Sequence, residues 1–157
     1  MLPSVYIETT IPSYLAAWPS SDLVRAAHQK ITKDWWLIQK GKFDIFISQF
    51  VWDEASAGDV AAANDRVAVL QEIPFLAVTE EALFLTDSII QAISLPQRAT
   101  KDAAHIAVAA VHRMDFLLTW NCTHINNAQL LPRIEQACRA SGFAAPVICT
   151  PEELMGI

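Results

Sequence analysis

Short β-branched and aromatic runs alternate with segments of helical period along this chain, and that alternation constrains the fold more than any other feature. Ser4 to Glu8 (S-V-Y-I-E), Asp44 to Ser48 (D-I-F-I-S), Phe75 to Val78, Phe116 to Thr119 (F-L-L-T) and Val147 to Cys149 read as strands. From Asp22 to Lys40, the residues Val24, Ala27, Ile31, Trp35 and Ile38 recur at helical spacing on one face, with Ser20 and Ser21 as caps and Gly41 as the stop. Gln49 to Ala57, Asp59 to Gln71, Glu80 to Ile93 and Lys101 to Arg113 are further helices. Another ends near Gly142 and takes Pro132 in its first turn. Thr10 and Pro12 read as turn residues, and Pro151 to Glu153 as a last helical turn. This order predicts an α/β fold of three layers, α/β/α, around a mostly parallel central sheet of four to five strands. With no repeat, low-complexity tract or long linker, residues 1–157 read as a single domain.

Composition removes other classes. With 53% apolar and 18% charged residues, the chain can build a core, which a disordered chain cannot. Eleven Lys and Arg stand against 17 Asp and Glu, a net charge of −6, which argues against gripping nucleic acid through a broad basic face. Cys122, Cys138 and Cys149 are odd in number and form no C-x-x-C spacing, so neither a disulfide framework nor a thiolate zinc site is expected. The start lacks a basic segment leading into an apolar one, and the apolar stretch Ala103 to Val111 contains His105 and is too short to span a bilayer. A soluble, cytoplasmic protein with no membrane association is the expectation.

Parallel sheets bind ligands beyond the carboxyl ends of their strands. Glu8 closes the first strand, Glu54 lies early in the helix after the second, and Asn121 stands just past the fourth. Asp102 opens the helix that feeds the fourth strand and reaches the same edge if the loop Ser94 to Thr100 brings it there. Three carboxylates and an amide would make an oxygen-rich cage of the kind Mg²⁺ or Mn²⁺ prefers. The spacing alone fits a set of solvated acids more readily than a cage, as Asp53, Asp34 and Asp87 are read to be. No G-x-x-x-x-G-K-[ST] or G-x-G-x-x-G occurs, and only four Gly are present, so a nucleotide cradle is not expected. Nor does a D-x-D follow the first strand, as an aspartate-nucleophile phosphatase would need.

Four tracts in order carry a family resemblance: V-Y-I-E-T-T-I-P-S-Y from Val5 to Tyr14, Ile47-Ser48 with Glu54, K-D-A-A-H-I-A from Lys101 to Ala107, and L-T-W-N-C-T-H-I from Leu118 to Ile125. From Val5 to about Glu153 the chain resembles the PIN-domain family, in the branch with E-T-T and W-N-x-x-H. That resemblance implies a PIN-like fold and a metal-dependent ribonuclease, commonly the toxin of a VapBC-type toxin–antitoxin pair. It implies catalytic and metal-binding roles for Glu8, Glu54, Asp102 and Asn121, with one Mg²⁺ or Mn²⁺ firmly held by Glu8, Asp102 and Asn121 and a second, weaker ion near Glu54. Many members carry Asp where Asn121 stands, and Asn brings no charge. The implied partners are an RNA substrate, an antitoxin protein and a second copy in a homodimer. The implied products carry 5′-phosphate and 3′-hydroxyl ends.

Further candidates surround these four. Thr9 and Thr119 could hydrogen-bond a ligand or cap backbone, His124 could touch a phosphate or orient Asn121, and Lys101 and Arg98 are local phosphate contacts or solvated cations. His105 reads as a core or supporting histidine, Trp120 as packing or a base-stacking platform, and the Trp35-Trp36 pair as an apolar dimer contact. The competing function is a catalytically weak or inactive PIN-like module that binds RNA or a protein.

Overall fold

The computed structural model describes residues 1–157. Its five strands are β1 (Ser4–Ile7), β2 (Asp44–Ser48), β3 (Phe75–Leu76), β4 (Phe116–Leu118) and β5 (Val147–Cys149), ordered β3-β2-β1-β4-β5. Every pairing is parallel. Seven helices flank the sheet: α1 (Thr10–Ala16), α2 (Leu23–Ile38), α3 (Gln49–Ala55), α4 (Val60–Leu70), α5 (Glu80–Ile93), α6 (Thr100–Val111) and α7 (Leu131–Ala140). The α/β class and the parallel sheet expected from the alternation are therefore what the chain adopts.

Strand order reverses at β1. The chain steps one way through β2 and β3, then crosses back to β4 and β5 on the other side. Right-handed crossovers put the helices of the two runs on opposite faces. The packing agrees, since α1 meets α2 and α4, α3 meets α4, and α5 meets α6 and α7. The crevice between the carboxyl ends of β1 and β4 is thus a topological switch point. Burial on both faces explains the continuous apolar runs of β1 and β4, where Val5, Tyr6, Ile7, Leu117 and Leu118 are fully enclosed. In α6, every residue from Ala103 to Ala110 is buried, and its small alanines let it lie close beneath its neighbours.

Two local expectations fail. Thr10 and Pro12 do not form a bare turn: α1 begins at Thr10, and Pro12 occupies its first turn, where a missing N–H costs no helical bond. The face of α2 is also rotated. Gln29, Thr32 and Trp35 point inward, whereas Val24 and Ile38 are 65% and 62% exposed. The inward polar groups are all satisfied. Gln29 donates to the Trp18 carbonyl and accepts from the Ser20 N–H, and Thr32 accepts from the Trp120 indole. Hydrogen bonds to distant loops, invisible to an apolar count, set the face.

Candidate carboxylate site at the switch point

Glu8 follows β1 directly, and its N–H still donates to the Leu118 carbonyl, the last rung between β1 and β4. Its side chain is only 4% exposed. One oxygen, Oε1, accepts from the Thr10 hydroxyl (2.6 Å), the Thr10 N–H (3.2 Å) and the Thr119 hydroxyl (2.7 Å). The other oxygen, Oε2, accepts none of the protein's hydrogen bonds, yet no polar side-chain atom sealed from solvent lacks a partner. Oε2 therefore keeps a small contact with solvent. Burial pushes the Glu8 carboxyl above the usual range, against the opposing pull of His105, Thr10 and Thr119.

Glu54 lies on α3, reached directly from β2. Its Oε1 accepts from the Thr9 hydroxyl (2.9 Å) and pairs with Nε2 of His105 (2.5 Å). Burial alone would raise its pKa, but His105, Thr9 and the nearby Lys101 ammonium outweigh burial and hold it below the ordinary carboxylate value. Asp102, in the first turn of α6, pairs through Oδ2 with Nδ1 of His124 (2.9 Å). Each of the three carboxylates thus has one oxygen held by a protein donor and its second oxygen unengaged.

The two threonines of Glu8-Thr9-Thr10 divide the work: Thr9 braces Glu54, and Thr10 braces Glu8. Thr119 bonds Glu8 and accepts from the Asn121 N–H. Thr10 is a brace that the candidate residues of the sequence do not include. Its adjacency to Glu8 and Thr9 is the signal that points to it, and the following Pro12, which marks a turn as readily as a helix start, masks it.

Asn121 has a different occupation from the one expected of a ligand. Its Oδ1 accepts the N–H groups of Thr123 (3.2 Å) and His124 (3.0 Å), so both lone pairs shape the loop after β4. His124 meets Asp102 through its ring and Asn121 only through its backbone. Lys101 is exposed beside Glu54, and Arg98 is exposed on the turn before α6. Trp120 is 9% exposed, with His28 stacked on its ring at 3.9 Å and Tyr14 at 6.3 Å, so it packs and offers no free face. Trp35 is fully buried and donates to the Leu154 carbonyl, while Trp36 is half-buried under the Lys40 ammonium, so this pair is no exposed apolar contact.

No three His, Cys, Asp or Glu side chains are arranged closely enough to hold a metal ion among them. The donor chemistry nonetheless suits a hard cation: three carboxylates offer unengaged oxygens, and burial makes one of them, Glu8, costly to ionise without a nearby positive charge. The largest groove, about 690 Å³, lies elsewhere, between α7 and the edge strand β5, lined by Leu131, Ile134, Phe143 and Val147. A polar edge that grips ions need not be a deep apolar cavity, so the groove's size does not move the site. No helix is long and apolar enough to cross a membrane.

No protein-family model matches the sequence, and no curated protein matches it. Among solved structures, the chain is similar to one chain of the crystal structure of VapBC2 from Rickettsia felis bound to a DNA fragment from their promoter. The TM-score is 0.59 at 12% identity, covering 93% of this chain and 97% of that one. At that identity the likeness establishes the fold.

Proposed function

We propose that the chain is a metal-dependent endoribonuclease acting as the toxin of a toxin–antitoxin pair. The observation that carries this reading is the bracing of Glu8, Glu54 and Asp102, each held through one oxygen at the carboxyl edge of the sheet. The fold shared with a VapBC2 chain and the four-tract resemblance to the PIN-domain family support it.

Glu8 and Asp102 would hold one Mg²⁺ or Mn²⁺ through their unengaged oxygens, with Glu54 contributing to that ion or a weaker second one. Such an ion, when bound, polarises a phosphate oxygen and lowers the pKa of water. Glu54, whose donors favour its ionised form, or Asp102 would accept the proton leaving an attacking water. Lys101 and Arg98 supply positive charge for an RNA phosphate beside an acidic site. Asn121 would act by holding the loop that carries His124 to Asp102. An antitoxin and a second copy of the chain are the partners this reading entails.

Isothermal titration of Mn²⁺ into chelator-stripped protein, with RNA cleavage measured in parallel, tests the proposal. Asp102→Asn should abolish both while the protein keeps its fold. Binding and cleavage unchanged in that variant would overturn the reading. The competing reading, a non-catalytic module that binds RNA or protein, draws on the absence of a closed three-ligand cluster. It predicts RNA binding without cleavage at any Mn²⁺ concentration.

A further inference from the structure

His105 is fully buried on α6, one turn beyond Asp102. Its Nε2 meets Glu54 Oε1, and its Nδ1 meets the Tyr6 hydroxyl at 2.6 Å. Tyr6 in turn meets the Ser48 hydroxyl at 2.7 Å. The Phe50 ring stands edge-on to the imidazole and the Tyr6 ring tilts against it, and the fully buried ring has one protein partner at each nitrogen.

We infer that His105 is a positioning residue: the buried line Ser48–Tyr6–His105 fixes the imidazole, whose Nε2–H holds Glu54 so that only Oε2 faces the site. The inference deepens the nuclease reading and rests on Glu54 belonging to that site. An ionised carboxylate can only accept, so Nε2 carries a proton whatever the charge on the ring. The Glu54 carboxyl sits below the ordinary range, consistent with an acceptor that stays ionised. At Nδ1 the Tyr6 and Ser48 hydroxyls turn to donate or accept as the ring requires.

Ser48 gives a second, independent sign. It occupies the N-cap of α3, where a serine hydroxyl ordinarily accepts from the helix's first turn, yet it makes no such bond. Its hydroxyl is committed to Tyr6 instead. A cap has been given up to complete the line. The result joins β1, β2, α3 and α6 beneath one edge. Because Asp102 and His105 share a helix, the brace also fixes the position of Glu54 relative to Asp102. Groups that orient a ligating side chain commonly change metal affinity or activity when removed.

The test compares His105→Leu, His105→Gln and Tyr6→Phe. Gln can present one donor and one acceptor in place of the two ring nitrogens, whereas Leu fills the space and offers neither. In both His105 variants the Tyr6 hydroxyl keeps Ser48, so no partner is stranded. Nitrogen-15 NMR of the wild type should show a slowly exchanging proton on His105 Nε2, and Tyr6→Phe should speed its exchange. In Mn²⁺ titrations, His105→Leu should lose about ten- to hundredfold in affinity, and His105→Gln should recover most of it, with all three variants folded by circular dichroism. A ring protonated on Nδ1 alone, or His105→Leu binding Mn²⁺ like the wild type, would overturn the brace. If the wild type itself binds no Mn²⁺ and cuts no RNA, the nuclease reading fails, and the NMR signature still decides whether His105 holds Glu54.

Discussion

The Thr119 hydroxyl donates to Glu8 Oε1 at 2.7 Å across 111 residues of sequence, joining the ends of β4 and β1 where the strand order reverses. The same hydroxyl oxygen accepts from the Asn121 N–H. One threonine therefore fixes a candidate ligand and starts the loop that follows. Thr119→Val keeps the shape and removes both bonds, leaving the Asn121 N–H without its partner. A cost of about 1–3 kcal/mol follows, at about 2–4 °C of Tm per kcal/mol for a domain of this size. Thr119→Ser should retain most of the stability. Thermal melts of the two variants check this, and equal Tm values would refute it.

Glu8 gives a pH dependence with a definite sign. Its folded pKa lies above the unfolded value because burial disfavours the charge. The folded state therefore holds this proton more tightly. The associated stability is present below the unfolded pKa and is lost as pH rises through the folded one. Glu8→Gln keeps an acceptor for Thr10 and Thr119 but never ionises. In chelator, it should melt above the wild type at neutral pH, with the gap closing toward pH ~4, near the ordinary carboxylate range. Mn²⁺ should then raise the Tm of the wild type and leave the variant unmoved. Parallel pH profiles of the two proteins would sink the assignment.

The three thiols should separate by access. Cys122 is exposed in the loop after β4, while Cys138 and Cys149 are buried, their thiols pushed up by burial to about 11 and about 12. Thiolate is the reactive form, so a disulfide reagent at mildly alkaline pH should modify one cysteine quickly. The other two should react only after denaturation. Cys122→Ser should remove the fast phase; more than one fast equivalent in the wild type would contradict the packing of α7 and β5.

Strand and helix placement were legible because β-branched runs and helical spacing are local properties, as in Val5-Tyr6-Ile7 and Ala103 to Ala110, whereas the order of the strands in the sheet was not. The positions of Glu8 and Glu54 at strand ends followed from the same pattern. What was hidden depends on partners far away in sequence. The inward face of α2 is set by Gln29 and Thr32 bonding to Trp18 and Trp120, which no periodicity count detects. Likewise, His105 was legible as a buried histidine, but its role required knowing that Tyr6 and Glu54 flank its ring from two other elements. Thr10 was hidden by its neighbour Pro12, which marks a helix's first turn as readily as a loop.

Asn121 offers the sharpest separation between ligand and loop. Its Oδ1 accepts two backbone N–H groups, and Asp at this position could accept both while adding a charge. Asn121→Asp should therefore leave the loop and the melting temperature nearly unchanged and tighten Mn²⁺ binding through closer negative charge. Asn121→Ala strips the loop of its acceptor. It should lower stability by about 1 kcal/mol for the hydrogen bonding lost and loosen His124 from Asp102. In the alanine variant, cleavage should fall with Mn²⁺ affinity nearly intact, because the loop and not a ligand has been lost. Mn²⁺ titration beside RNA cleavage reads the two effects apart. A large loss of Mn²⁺ affinity in Asn121→Ala, with an unchanged melt, would return Asn121 to the ion's own ligand set.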